Sequence, residues 1–329
     1  MKKCCYLALA GVWALFCTVC SCSTGEAAMQ ILGSSSEAPV FLGCKAVSGT
    51  EVDFEFSAPV KVLSLCFSPA FEVETVEEGS TVRVTFGGGL GPGERMTADL
   101  VAEDEAGNTI NVLVPFRARN SRLPPLLINE LRTEYSKPRV EFIELKLLGT
   151  GNLGALRVFA VGNKNPLLYE FPPVEAAAGE YVVLHLRTIE EGCRDECGAD
   201  LAESGGTDAL ATARDFWIPG TAKLLHKTDA VYVMDQDDTI IDAVILAEVV
   251  EPWWNKDVFA EAAALFLEKK AWKTADGKIP APSDAVDTGP VKTAATKSIS
   301  RNEGAEDTNT AADWYVTAAS GATPGKQNK

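Results

Sequence analysis

Apolar and polar residues alternate in short segments from about residue 38 to residue 118. The segment TEVDFEFS places Val52, Phe54 and Phe56 on one side and acidic residues on the other. The same alternation recurs in VKVLSLCF, STVRVTF, RMTADLVAED and TINVLVPF, with turn residues between the segments. A period of two predicts β-strands with one buried face, and several such strands joined by short turns predict an antiparallel β-sandwich.

Two turns within this segment carry a family resemblance. GLGPGERMTADL combines a Pro-Gly turn with a strand, and AEDEAGNTI predicts a hairpin turn, in which Gly107 and Asn108 are residues able to take positive φ. With these motifs, residues 38–118 resemble bacterial Ig-like domains. The resemblance implies a first Ig-like β-sandwich, and the two prolines of residues 119–125 then predict an extended linker.

The rest of the sequence contains several motifs in a characteristic order. INEL and EFIEL come first, GALRVFAVG and AAAGEYVVLHL follow, DAVYVMDQDDTIIDAVIL contains Asp242, TKSISRN contains Arg301, and DWYVTAASGATPGKQN is last. With these motifs, residues 126–327 resemble a lamin tail domain, although Ala178-Gly179 replaces the usual Pro-Gly turn. That family is an Ig-like β-sandwich of nuclear lamins and exported bacterial proteins. The resemblance therefore implies a second sandwich that recruits partners and performs no chemistry.

Two insertions interrupt the second sandwich, near residues 190–220 and 250–296. In the second insertion, apolar residues recur at helical spacing over residues 259–267. This spacing predicts an amphipathic helix over residues 256–271 with Asn255 as its N-cap. The predicted fold class is therefore all-β, with two tandem Ig-like β-sandwiches, of which the second has an inserted α-helix.

The final segment, ADWYVTAASGATPGKQNK, is polar apart from three consecutive residues. The resemblance to a lamin tail domain implies that this segment is the closing strand of the sandwich. Trp314 and Val316 are then expected to face the core, with Tyr315 on the opposite face. Residues 320–325 are expected to form the terminal turn, so that the second domain depends on this segment for folding.

The first 21 residues have the features of a lipoprotein signal peptide. Lys2 and Lys3 precede an apolar run too short for a membrane span, and the following Val-Cys-Ser-Cys resembles a bacterial lipobox of the spirochaetal kind. The resemblance implies cleavage before Cys22 and a lipid on its sulfur, with Cys20 as the competing site. Residues 22–37 would then be a flexible tether. We expect a cell-envelope protein that is lipid-anchored to a bacterial membrane, on its periplasmic or surface face.

The charge of the chain restricts the possible partners. The formal net charge is −16, and loss of Lys2 and Lys3 with the signal peptide gives −16 − 2 = −18. Such an acidic protein repels phosphate backbones. No nucleic-acid partner is therefore expected.

Four cysteines remain after removal of the signal peptide and lipidation, namely Cys44, Cys66, Cys193 and Cys197. An even number in an exported protein suggests disulfides, and four cysteines allow three connectivities. The pairs Cys44–Cys66 and Cys193–Cys197 would keep each bond within one sandwich. The alternative for the second pair is a metal site with His185, which lacks an obvious fourth ligand.

Candidate catalytic and metal-binding residues are few. Asp235, Asp237 and Asp238 form a calcium candidate, but the Gly and Glu of an EF-hand loop are missing and acids are common in hairpin turns. His185 and His226 are the two histidines, expected on a strand and in a loop, and there is no Gly-x-Ser-x-Gly motif. No catalytic residue and no cofactor is therefore predicted, and we expect a protein that is not an enzyme.

The adjacent Trp253 and Trp254 admit two interpretations. They could bind a sugar or a partner, or one or both could pack the inserted helix onto the sandwich, which we favour. We expect a non-catalytic binding or scaffolding module that acts through its lamin-tail-like domain, with a protein partner in the envelope. The alternatives are an envelope hydrolase or a sugar-binding protein with its site on the inserted loops, or a structural spacer.

Overall fold

Strands form most of the regular structure in the computed structural model, which describes residues 37–248 and 252–329. Within those residues there are nineteen β-strands and one α-helix, so the prediction of an all-β fold with an inserted helix is confirmed. No helix in this part of the chain is long and apolar enough to cross a membrane. The predicted signal peptide, the lipidation at Cys22 and nearly all of the tether lie outside the described residues.

The first six strands form one sheet around a single core, in the order β3-β4-β2-β5-β6 with β1 beside β2. The strands are β1 (Phe41–Ala46), β2 (Glu51–Ser68), β3 (Val73–Glu77), β4 (Gly79–Phe86), β5 (Arg95–Asp104) and β6 (Thr109–Arg117). The first half of β2 pairs with β1 and β4, and its second half pairs with β5. This change of partner brings Phe54 of β2 to Phe116 of β6, with 6.4 Å between ring centroids. The predicted inward residues Val52, Phe54 and Phe56 are all buried.

The remaining strands form three sheets, and the two larger ones enclose a second core. The elements are β7 (Leu126–Arg132), β8 (Phe142–Leu147), β9 (Gly151–Asn152), β10 (Arg157–Ala160), β11 (Leu167–Glu170), β12 (Glu175–Ala176), β13 (Tyr181–His185), β14 (Arg214–Trp217), β15 (Asp229–Met234), β16 (Ile240–Ala247), α1 (Asp257–Glu268), β17 (Val286–Asp287), β18 (Ile299–Arg301) and β19 (Trp314–Val316). The six-stranded sheet has the order β14-β13-β8-β7-β18-β19, and the five-stranded sheet has the order β11-β10-β15-β16-β17. Strands β9 and β12 form a two-stranded sheet.

Helix α1 covers the outer face of the five-stranded sheet. Its buried residue Phe266 packs on Tyr232 of β15, with 5.4 Å between ring centroids. Tyr232 alternates along β15 with Val231 and Val233, so its side chain lies on the other face of the strand. On that face Tyr232 packs against the same hydrophobic core, to which Phe266 also belongs. The helix is shorter than predicted, and its N-cap is Lys256 and not Asn255. Lys256 has the extended backbone of a cap residue but makes no side-chain capping bond.

The final segment belongs to the second sandwich, as predicted. Trp314 is buried, and Val316 packs against the same core. Tyr315 points the other way, and its hydroxyl donates to the carbonyl oxygen of Lys329 at 2.5 Å. Asn328 is also held, because its side-chain amide donates to the carbonyl of Asn129 at 3.0 Å. The ordered contacts thus continue to the last described residue, beyond the predicted terminal turn.

The first sheet contacts the second sandwich through closely packed backbone. A Cβ atom on Gly93 would lie 2.4 Å from the carbonyl carbon of Gly154, so both positions need glycine. The side-chain amide of Asn120 donates to the carbonyls of Asn152 and Gly154, at 2.8 Å each. The turn between β15 and β16 joins this contact, because Asp237 forms ion pairs with Lys45 and Arg119.

Candidate binding site

The two adjacent tryptophans of the insertion have different environments. The Trp254 indole N–H donates to the carbonyl of Pro280 at 2.9 Å, and the ring packs on Phe259 of α1 at 6.1 Å between centroids. Both partners belong to the insertion itself, and Trp254 also packs, partly buried, against the core of the second sandwich. Trp254 thus agrees with the packing interpretation. Trp253 does not follow that interpretation, because 70% of its surface is exposed.

Trp253 forms one wall of a small cleft, which we call the tryptophan cleft. It has a volume of about 150 Å³ and is lined by Thr228, Ala247, Glu248, Trp253, Trp254, Asn255 and Pro282. Strands β15 and β16 pair with Asp229 opposite Leu246, so Thr228 and Ala247 lie side by side just beyond this pair. The cleft therefore lies at the end of the β15–β16 hairpin opposite its turn.

The polar groups of the cleft are only partly used by the protein. The Thr228 hydroxyl accepts a hydrogen bond from the backbone N–H of Glu248 at 3.1 Å, which leaves its own proton available. One carboxylate oxygen of Glu248 accepts from the Lys227 ammonium group. The side-chain amide of Asn255 has no hydrogen-bond partner within residues 37–248 and 252–329. A ligand would therefore meet free donors and acceptors beside the exposed indole.

The tryptophan cleft lies far from the contact between the first sheet and the second sandwich. The contact includes the turn after β15, whereas the cleft lies before β15, and six residues of strand separate them. At a rise of about 3.3 Å per residue, this separation is about 20 Å. The first sheet begins at Phe41, four residues before the contact residue Lys45. The cleft belongs to the second sandwich and the beginning of β1 to the first sheet, and each lies away from the contact along its own strand.

The three carboxylates of the calcium candidate lie together in the β15–β16 turn but bind protein groups. Asp235 accepts hydrogen bonds from the backbone N–H groups of Asp237 and Thr239, at 2.8 and 2.9 Å. Asp238 pairs with Arg157 at 2.7 Å. The hydrogen bond from Arg119 lowers the pKa of Asp237. Among the described residues there is no group of three or more His, Cys, Asp or Glu side chains arranged to hold a metal ion.

The predicted disulfide of the first sheet does not form in the structure, where Cys44 and Cys66 are free. Cys44 is paired in register with Phe54 on the first half of β2. Cys66 lies on the second half of β2, opposite Asp99 of β5. A disulfide needs Cα atoms about 4.4–6.8 Å apart, and the strand register does not place these two residues side by side.

The second predicted disulfide is also not formed, and Cys193 and Cys197 are free thiols. The sulfur of Cys193 faces Gly206, near Trp217, whereas Cys197 is exposed and lines a different surface groove beside Arg214. The metal alternative with His185 finds no support in this geometry, because the ring of His185 lies against Trp217 and bonds Asp215. Burial raises the pKa of both thiols, which lowers their reactivity as thiolates.

The two histidines have different surroundings. His185 lies on β13 as predicted and is completely buried, with its Nε2 atom 2.7 Å from Asp215 and its ring stacked on Trp217 at 3.8 Å. His226 lies in a loop as predicted, and burial lowers its pKa. A general base must reach the proton that it removes from a substrate. His185 is not accessible to a substrate in this structure.

Sequence reasoning identified Trp253 and Trp254 but missed the polar wall of the cleft. Asn255 was interpreted as a helix cap, although its position directly after two tryptophans was a usable signal. Thr228 and Glu248 are twenty residues apart in the sequence and meet only through the register of β15 and β16. No local pattern in the sequence indicates that meeting.

The fold defines an all-β protein with facing sheets and a helical insertion. Residues 124–316, more than half of the chain, match the family model described as "TP_1001_2nd: protein second domain", and the chain belongs to this family. The matched segment contains all the residues that line the tryptophan cleft.

Two further similarities are more limited. An "Uncharacterized protein" of Treponema pallidum (strain Nichols) is 32% identical over 185 residues, which cover 52% of this chain and 46% of that protein. The chain thus matches about half the length of this relative. The crystal structure of the N-terminal part of the bacterial S-layer protein SbsC aligns with 68% of this chain and 46% of its own, at 13% identity and a TM-score of 0.25. A likeness at that TM-score does not define the fold or the function.

Proposed function

We propose that this protein is a lipid-anchored, non-catalytic binding module of the bacterial cell envelope, and that its binding site is the tryptophan cleft. The observation that carries the proposal is the 70% exposure of Trp253 beside the fixed ring of Trp254. Tryptophan is strongly enriched among the residues that dominate binding interfaces. Because Trp254 is already held by Pro280 and Phe259, its ring would lose little conformational entropy on binding.

The position of the cleft fits a module that presents a site away from its anchor. The proposed lipid on Cys22 precedes the first sheet in the sequence, and the cleft belongs to the second sandwich, about 20 Å along β15 from its contact with the first sheet. The resemblance of residues 126–327 to a lamin tail domain supports recruitment of a partner in place of catalysis. The relative in Treponema pallidum supports a spirochaetal source.

The binding proposal is tested by site-specific photo-cross-linking in cells. A photoreactive phenylalanine derivative, which keeps an aromatic ring at the site, is placed at Trp253, and the same derivative is placed as a control at Leu113 of the first sheet, which is exposed to the same extent at 71%. We expect a discrete covalent adduct, with protein or with glycan, from position 253 and none from position 113. Equal adducts from both positions, or none from either, would contradict the proposal.

The anchoring proposal is tested separately by fatty-acid labelling. We expect the wild-type chain to incorporate the label and the Cys22→Ser variant to lose it, because the lipid would be attached to that sulfur. Label that persists in the variant would exclude Cys22 as the attachment site. Protease shaving of intact and opened cells then distinguishes the surface face from the periplasmic face.

A further inference from the structure

The dimensions of the tryptophan cleft restrict what it can hold. Pockets for drug-sized ligands have volumes of about 300–1,000 Å³. The cleft has only about 150 Å³, and it opens beside the exposed ring of Trp253. It is therefore suited to one ring-sized unit of a longer ligand, with the neighbouring units lying on the surface.

The walls of the cleft combine one flat apolar surface with several polar groups. The indole of Trp253 offers a broad apolar face with a polar N–H at its edge. The amide of Asn255, the proton of the Thr228 hydroxyl and the second oxygen of Glu248 are free to bond a ligand. A pyranose ring has the complementary chemistry, because its C–H groups form an apolar face and its hydroxyl groups radiate from the ring edge.

The charge of the cleft selects against acidic ligands. Glu248 is the one charged residue among those that line it, and the nearby Lys227 is already paired with that carboxylate. The whole chain adds a formal net charge of −16. A phosphate or carboxylate group in the cleft would meet the carboxylate of Glu248 and the acidic field of the chain. Lys256, which follows Asn255, does not line the cleft, and its ammonium group lies over the ring of Phe259, 5.6 Å from the centroid.

We infer that the tryptophan cleft binds a neutral pyranose unit of an envelope glycan chain. This inference rests on the proposed binding function and names the chemical class of the ligand for the same site. Trp253 would stack on the apolar face of the sugar, and Asn255 would bond its hydroxyl groups. Trp254 would hold the floor without contributing its indole N–H, which Pro280 already accepts.

The test is isothermal titration of the purified full chain with four soluble probes. Three are the neutral hexasaccharides of N-acetylglucosamine (chitohexaose), β-glucose (cellohexaose) and α-glucose (maltohexaose), and the fourth is the anionic hexamer of galacturonic acid. We expect at least one neutral probe to bind and the anionic probe to bind more weakly. Failure of all three neutral probes to bind, or tighter binding of the anionic probe, would overturn the inference.

Four variants locate the binding. Trp253→Ala should weaken it about tenfold through the loss of ring contact, and Asn255→Ala should weaken it by a few fold through the loss of one hydrogen bond. The exposure-matched control Leu113→Ala should bind as tightly as the wild type. Trp253→Phe should recover part of the affinity, since it restores an aromatic face. Sugar binding that survives Trp253→Ala would place the sugar elsewhere and overturn the inference.

The cross-linking experiment separates this inference from the proposed function. An adduct of position 253 with a protein, combined with no binding of the neutral probes, would retain the binding function and overturn the sugar assignment. An adduct with glycan would support both. No adduct from position 253 would contradict the proposed function itself.

Discussion

Arg301 of β18 and Asp242 of β16 form an ion pair inside the second sandwich, with 2.7 Å between Nη2 and Oδ2 and side chains only 5% and 2% exposed. Asp242 also accepts a hydrogen bond from the backbone N–H of Ile128 at 2.6 Å, while Arg301 donates to the carbonyl of Ile128 at 2.8 Å. The guanidinium group lies over the ring of Trp314, 4.5 Å from its centroid. The pair therefore links one strand of the five-stranded sheet to three strands of the six-stranded sheet.

Replacing Arg301 with Met should destabilise the second sandwich strongly. Burial raises the pKa of Asp242 to about 6 even with Arg301 beside it, so the carboxylate depends on that partner. Leaving a buried charge unpaired costs about 3–5 kcal/mol. Urea denaturation measures this loss. The control is Arg83→Met, which breaks a more exposed Arg–Asp pair with Asp53 in the first sheet and should have a much smaller effect. Similar losses in the two variants would contradict the role given to the buried pair.

Removing the final residues should destabilise the second sandwich because two buried carboxylates would lose donors. The backbone N–H of Thr323 donates to Glu130 at 3.0 Å, and the backbone N–H of Gly325 donates to Glu144 at 2.5 Å. Each buried polar group that loses its partner costs about 1–3 kcal/mol. A chain that ends at Ala322 should therefore unfold at lower urea concentration, and a chain that ends at Ala312 should not fold. Loss of Lys329 alone is the control. If the chain without residues 323–329 unfolds at the same urea concentration as the wild type, this segment is a dispensable tail.

Glu144→Gln should change how stability depends on pH. Burial raises the pKa of Glu144 well above its ordinary value, and the neighbouring Glu130 and Glu303 raise it further. The folded chain then holds a proton that the unfolded chain has lost above about pH 4.5, so this group's contribution to stability falls as pH rises. Glutamine mimics the protonated side chain, and the variant should gain stability relative to the wild type between pH 5 and pH 8. Urea midpoints at both pH values measure the difference. If the urea midpoints of the variant and the wild type differ by the same amount at pH 5 and pH 8, the raised pKa of Glu144 is contradicted.

Gly154→Ala should loosen the contact between the first sheet and the second sandwich. An added Cβ would lie 2.4 Å from the carbonyl oxygen of Pro92, and backbone atoms cannot move aside as a flexible side chain can. We expect a larger radius of gyration by small-angle X-ray scattering, with both sheets still folded. Gly89→Ala is the control, because nothing lies within 4 Å of its added Cβ. An unchanged scattering profile for Gly154→Ala would show that the contact tolerates the extra atom.

Much of the fold could be predicted because its causes are local. Val52, Phe54 and Phe56 alternate with acidic residues, and the structure buries all three. Trp314 and Val316 lie two residues apart on β19, so the alternation of side chains along a strand places both on the core side. Helix α1 was predicted from its apolar spacing, but its ends differ because Lys256 has the extended backbone of a cap residue and Lys270 has a left-handed backbone with φ of 61°.

The features that sequence reasoning missed depend on contacts between distant segments. Asp242 and Arg301 were placed on the correct strands, but their ion pair joins residues 59 positions apart. The two disulfides were predicted because these pairings keep each bond within one sandwich, which ignores the strand register that separates Cys44 from Cys66. The polar wall of the tryptophan cleft likewise exists only after β15 and β16 have paired.

The central claim is that Trp253 is covered by a partner in the envelope. Hydroxyl-radical footprinting measures this most directly, by comparing oxidation of Trp253 in intact cells with its oxidation in the purified chain. Leu113, which is equally exposed, serves as the reference for radical access. We predict that oxidation of Trp253 relative to Leu113 is several times slower in cells than in the purified chain. An equal ratio in the two samples would contradict the claim.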